Sequence, residues 1–103
     1  MPRLSVLFMM ALAVAAPRAL ADEHSDAAGR ALAERWCVSC HVIGPEIPGG
    51  DAGPTFRSIA GRYGNSTRLI ESWLTDPHPP MPKLDLTKAE MTVLADYIVS
   101  LSP

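Results

Sequence analysis

Cys37, Cys40 and His41 stand in the order Cys-Val-Ser-Cys-His, two thiols three positions apart with an imidazole beside the second. Thiols at this spacing can each form a thioether with one of haem's two vinyl groups, while the adjoining imidazole is carried beneath the iron as an axial ligand. Cys-x-x-Cys also serves zinc sites and thiol redox centres. A structural zinc site takes four Cys or His ligands, and outside the motif the chain offers only His24 and His78. A thioredoxin-like centre accompanies a βαβ pattern, which is absent. A bond between the two thiols would close almost no loop, and two Cys fall far below the density of a disulfide-stapled domain.

Iron bound by His41 keeps a sixth position. Past residue 21 the candidate ligands are Met81, Met91, His24 and His78. Met91 follows a helix-capping signal on an apolar stripe, where Met commonly fills core gaps. His24 lies near a chain terminus, where a solvated imidazole is the ordinary outcome. Met81 stands between Pro80 and Pro82, in a loop too rigid to fold its side chain into a helical core, and 40 residues beyond His41. It is favoured, with His78 as the alternative. His/Met ligation raises the reduction potential and leaves no open site for a substrate, so the expected activity is electron transfer, without catalysis.

The elements that would position these groups are helical, since no stretch alternates apolar and polar residues as a strand does. Ser25 or Asp26 is expected to cap a helix running to about Trp36, with Ala28, Leu32 and Trp36 on one face. The loop GPEIPGGDAG, residues 44–53, separates it from a short helix opened by Pro54, carrying Phe56 and Ile59, and stopped by Gly61. A further helix starts near Asn65 or Ser66, with Leu69, Ile70, Trp73 and Leu74 as its apolar side, and Pro77 ends it. Pro77, Pro79, Pro80 and Pro82 then hold the chain in stiff, non-helical geometry. Thr87 and Glu90 form a capping box that opens the last helix. Met91, Leu94, Ala95 and Ile98 make one stripe on it and Val93, Tyr97 and Leu101 a second, an arc wide enough to contact both the first helix and a large apolar ligand.

Composition narrows the partners. The 103 residues are 48% apolar and 19% charged, with 9 basic against 11 acidic side chains and no basic block, so nucleic acid is not an expected partner. Arg3, an apolar run from Leu4 to Ala16 and Ala19-Leu20-Ala21 predict an export signal over residues 1–21, cleaved after Ala21. That run is shorter than the roughly 18 to 20 residues needed to cross a bilayer. The domain then comprises residues 22–103, with a net charge of −4 (7 basic, 11 acidic), in the periplasm, with no membrane span after cleavage. A domain of about 80 residues buries only some 60–65% of its unfolded surface, and a cofactor can supply the missing core.

With these residues in hand, the chain resembles the class I c-type cytochromes, as a small bacterial monohaem member, from about Gly29 to Leu101. Cys37, Cys40 and His41 match the family's attachment motif and proximal ligand, and Met81 in Met81-Pro82 matches its distal ligand. Gly53-Pro54 matches the Gly-Pro whose Pro carbonyl accepts a hydrogen bond from the proximal imidazole, which fixes ring orientation. Gly29 and Tyr97 match the positions where the first and last helices cross. Arg62 is similar to an Arg that contacts a haem propionate in parts of the family, the alternative being a solvated charge. Trp73 resembles an aromatic near the distal ligand, the alternative being plain core packing. Only three residues separate Pro77 from Met81, fewer than in mitochondrial-type members.

The resemblance implies an all-α cytochrome c fold, three main helices plus a short one around one covalently bound haem c. It implies a soluble one-electron carrier whose iron cycles between Fe(II) and Fe(III), loaded by cytochrome c maturation machinery. The donor would be a dehydrogenase or quinol-oxidising complex and the acceptor a terminal oxidase or reductase, each presenting a basic docking patch to the acidic chain. Two other readings stay open: a gas-binding or peroxidatic haem protein with a labile sixth position, and a cytochrome tethered in a respiratory complex by an uncut signal.

Overall fold

The structure, a computed structural model, describes the backbone of residues 18–63 and 66–103 and the side chains from residue 26 onward within them. Residues 1–17 of the expected export signal lie outside the described residues, as does the side chain of His24. Four helices follow one another: α1 (Arg18–Trp36), α2 (Phe56–Arg62), α3 (Thr67–Thr75) and α4 (Lys88–Ser100). No strand occurs among the described residues. The all-α architecture of three main helices and one short one is as expected. No described helix is long and apolar enough to cross a membrane.

α1 departs from the expected start. It runs unbroken through Ser25 and Asp26, so neither is a cap, and the expected cleavage point after Ala21 falls within it. Ala19, Leu20, Ala21 and Glu23 are strong helix formers that propagate the helix upstream of any local cap. Its inward face also lies one residue later than the 28, 32, 36 stripe. Gly29, Ala33 and Cys37 are buried, Ala28 is exposed, and Leu32 and Trp36 are only partly covered. The small residues win because α4 crosses here. A Cβ added to Gly29 would overlap that of Tyr97 and stand 2.9 Å from the Val93 carbonyl oxygen. Glycine therefore permits the approach that the larger apolar residues would block.

Thr55, not Pro54, caps α2, its hydroxyl accepting from the Ser58 N–H at 3.1 Å. Gly61 does not stop this helix: it lies inside it, and Tyr63 closes it by donating its N–H to the Ile59 carbonyl. A glycine ends a helix only when the backbone turns left-handed there, and this one stays helical. Ser66 caps α3 through the Leu69 N–H, and α3 ends at Thr75, two residues before Pro77. Ile70 and Leu74 are buried on it, whereas Leu69 is 52% and Trp73 36% exposed. Trp73 joins Ile70 and Leu74 in lining the cavity described below, so of the expected stripe Leu69 alone faces outward.

α4 begins with the complete capping box, Thr87 Oγ1 accepting from the Glu90 N–H at 3.1 Å and Glu90 Oε1 from the Thr87 N–H at 2.9 Å. It packs against α1, α2 and α3 together, with Leu94, Ala95, Tyr97 and Ile98 buried. The Tyr97 hydroxyl donates to the Ile43 carbonyl at 2.7 Å, which ties α4 to the chain after the Cys-x-x-Cys-His motif. Leu94 and Ile98 have a second role, because they also line a large cavity.

Candidate haem site

The end of α1 delivers Cys37, and a turn follows in which the N–H groups of Cys40 and His41 both donate to the Cys37 carbonyl. The glycine-rich loop then folds back along this turn. Gly50 N–H donates to Val38, Gly53 N–H to Cys40 and Phe56 N–H to Val42, at 2.8–2.9 Å. This stitching carries the Pro54 carbonyl to His41, whose Nδ1 lies 2.6 Å from the oxygen. A carbonyl only accepts, so in the neutral ring Nδ1 carries the proton and Nε2 keeps its lone pair. The imidazole is thus held in the tautomer that can bind a metal, as the Gly-Pro match implied.

His41 is 8% exposed and has company on its ring faces. Phe56 lies 5.6 Å away, centroid to centroid, tilted by 48°. Gly53 is closer still: a Cβ added there would overlap the imidazole Cε1 and stand 2.8 and 2.9 Å from Nδ1 and Nε2. The family likeness assigns a task to Pro54 and none to Gly53. The available signal was the glycine beside that proline, because bare backbone is what lets a chain pass against a ring.

Both thiols are free, Cys37 buried and Cys40 exposed. Burial, and after it the neighbouring Cys40, pushes the Cys37 thiol up to about 11. A dithiol redox centre works through a lowered thiol pKa, so this pair is poorly suited to that chemistry. Among the described residues no three His, Cys, Asp or Glu side chains gather as a metal-holding group.

Met81 arrives from the other side of the fold, on the loop between α3 and α4. Its N–H donates to the His78 carbonyl at 3.1 Å, and its Sδ accepts from Trp73 Nε1 at 3.3 Å. Trp73 stands beside Met81 and lines the cavity described next, its ring 5.0 Å from that of His78. Met91 is partly buried against the core, with its Sδ accepting from the Thr75 hydroxyl at 3.5 Å, and is not among the cavity-lining residues.

One cavity of about 450 Å³ joins the two loops, within the range of small-molecule and cofactor sites. Cys37, Cys40, His41 and Pro54 line it from one loop, and Trp73, His78 and Met81 from α3 and the proline-rich loop. Arg62 reaches its rim from the end of α2, exposed and without a salt bridge to another described residue. Ile59, Ile70, Leu74, Leu84, Leu94 and Ile98 make the walls largely apolar. Two thiols, an imidazole with a free Nε2, a thioether and apolar walls form a donor set suited to haem c.

No protein-family profile and no solved structure matches the chain. Among curated proteins it is similar to cytochrome c-552 of Bradyrhizobium diazoefficiens, at 40% identity over 100 residues that cover 95% of this chain and 93% of that protein. A likeness of this extent, on a chain that gathers the haem-attachment motif around one apolar cavity, places it in a family: the chain belongs to the class I c-type cytochromes, electron-transfer proteins that carry covalently bound haem c.

Proposed function

We propose that this chain is a periplasmic one-electron shuttle and not an enzyme, with its export signal removed after Ala21 and residues 22–103 forming the working domain. Cys37 and Cys40 would hold the haem by thioethers. His41 Nε2 and Met81 Sδ would bind its iron, with Pro54 orienting the His41 ring, Arg62 available to a propionate and Trp73 beside Met81. The haem, when bound, supplies a single electron through its Fe(III)/Fe(II) couple, and the protein's part is to keep both ligands unchanged between the two states. The observation that carries this reading is that one apolar cavity meets an imidazole nitrogen and a thioether sulfur from two separate loops, each held by its own hydrogen bond.

An iron bound by both His41 and Met81 would have no place for a substrate, which favours a carrier over a gas-binding or peroxidatic protein. The partners are a dehydrogenase or quinol-oxidising complex as donor and a terminal oxidase or reductase as acceptor. They dock weakly through basic patches against a chain of net charge −4 after signal removal. The maturation machinery of c-type cytochromes loads the haem.

Absorption spectra of wild type and Met81→Ala in both redox states test the ligand pair. Wild type should show the weak charge-transfer band of Met-ligated ferric haem, and Met81→Ala should lose it and fall in potential. An unchanged Met81→Ala spectrum together with an altered His78→Ala spectrum would move the sixth ligand to His78. Rapid carbon monoxide binding to the reduced wild type would favour the gas-binding reading instead.

A further inference from the structure

We infer that the corner formed by α2 and the first turn of α3 is a docking surface for a redox protein with an acidic contact patch, a second class of partner beside the basic ones proposed above. The inference rests on the carrier reading, since the corner serves electron transfer only with haem in the cavity.

The charge of the domain is unevenly spread. Residues 52–70 contain Arg57, Arg62 and Arg68 and no Asp or Glu, a local charge of +3. The other residues of 22–103 hold 4 basic against 11 acidic side chains, a charge of −7. The net value of −4 therefore has the wrong sign at this corner. All three arginines are exposed, and none forms a salt bridge with another described residue. Arg57 and Arg62 stand five residues apart on α2, about 7.5 Å along its axis. The chain then turns sharply, the Ser66 N–H donating to the Tyr63 carbonyl at 3.1 Å, and α3 opens with Arg68 in its first turn. A cation gains nothing from the positive end of a helix, so Arg68 adds to the positive field there instead of offsetting it. Glu71, the next acid along α3, acts toward Asp96 of α4, whose pKa is raised by burial first and by Glu71 next.

The corner also borders the redox site. Ser58, Ile59, Arg62 and Tyr63 line the haem cavity, and no Asp or Glu does. A partner seated on α2 therefore meets the wall of that cavity directly. Guanidinium groups are weakly hydrated and pair with carboxylates through a planar fork, which suits them to an acidic protein patch. Arg62 is already available to a propionate, which leaves Arg57 and Arg68 as the contacts. At about 0.1 M salt the Debye length is about 10 Å, so an approaching carboxylate senses these two before the more distant acids of the chain.

The test uses haem-loaded, reduced protein and the ferricyanide trianion as outer-sphere oxidant. If net charge governed the encounter, added salt would speed this reaction by screening two like charges. The corner predicts the reverse: between about 0.1 and 1 M salt the stopped-flow rate should fall roughly tenfold. Arg57→Gln with Arg68→Gln should abolish the fall. In ¹⁵N-labelled ferrous wild type, an oligoglutamate peptide should shift backbone amide signals of α2 and the first turn of α3. A ferricyanide rate that rises with salt overturns the inference, as does a fall that survives in the double variant, or peptide shifts confined to other parts of the chain. The wild-type salt slope and peptide shifts decide alone if the double variant does not fold. Cosedimentation with phosphatidylglycerol vesicles that the double variant loses, without peptide binding, would assign the corner to a membrane surface and overturn the protein partner. Rapid carbon monoxide binding to the reduced wild type removes the carrier reading whatever the salt slope. Slow carbon monoxide binding with a rate that rises with salt removes only the role of the corner.

Discussion

The loop that carries His41 and the loop that carries Met81 are made rigid by opposite means. Residues 37–56 are stitched to themselves, with Gly50, Gly53 and Phe56 donating backbone hydrogen bonds back to Val38, Cys40 and Val42. His41 is the product of that stitching, held by the Pro54 carbonyl and the Gly53 backbone. Residues 77–82 have few such bonds because four of the six are prolines without an N–H. Their stiffness is local, built into each proline ring, and Met81 is placed by one backbone bond and one indole N–H. One proposed ligand is thus held by many long-range contacts and the other by a backbone with few choices. Damage should therefore act on folding in the first loop and on ligand exchange in the second.

Removing both thioether anchors should have the largest effect. The cavity of about 450 Å³ sits where a domain this small would otherwise need core side chains, so Cys37→Ala with Cys40→Ala should leave a largely unfolded chain by far-ultraviolet circular dichroism. A cooperative unfolding transition in that haem-free variant would show that both loops stand without the cofactor. Next is Gly53→Ala, whose Cβ overlaps the His41 ring. Denaturant unfolding of the haem-loaded protein should show a loss of about 1–3 kcal/mol, with altered haem-methyl shifts in the ferric NMR spectrum as the imidazole plane turns. Smallest is Pro82→Ala in the distal loop, costing about 0.4–1 kcal/mol through the greater freedom of the unfolded chain. Its clearer sign should be faster carbon monoxide binding to the ferrous protein, because Met81, as the proposed sixth ligand, would leave more often. A Pro82→Ala variant less stable than Gly53→Ala would reverse the contrast between the loops.

Several features are legible in the order of residues because their causes lie within one turn of chain. The Thr87 and Glu90 capping box, the Ser66 cap and the stop before Pro77 each involve residues at most four apart, and all three stand as expected. Gly29 and Tyr97 are legible through family likeness, and the crossing of α1 and α4 at that pair agrees with it. The misplaced details share a cause. Ser25 and Asp26 look like caps only if the upstream residues are not helical, and Gly61 looks like a stop only if the backbone turns there. The inward stripe on α1 falls on residues 29, 33 and 37 instead of 28, 32 and 36 because the approach of α4 selects small side chains over large ones.

The chemistry of attachment is present in the amino-acid sequence alone, since two thiols and an imidazole within five positions offer the same reacting groups in any fold, and a methionine walled by prolines is stiff wherever it lies. Which His41 nitrogen stays free, which glycine lets the chain pass against that ring, and which donor reaches the Met81 sulfur are settled by packing. Each depends on atoms 8 to 13 residues apart being brought within about 3 Å, and no local preference of the backbone specifies a distance across so much chain.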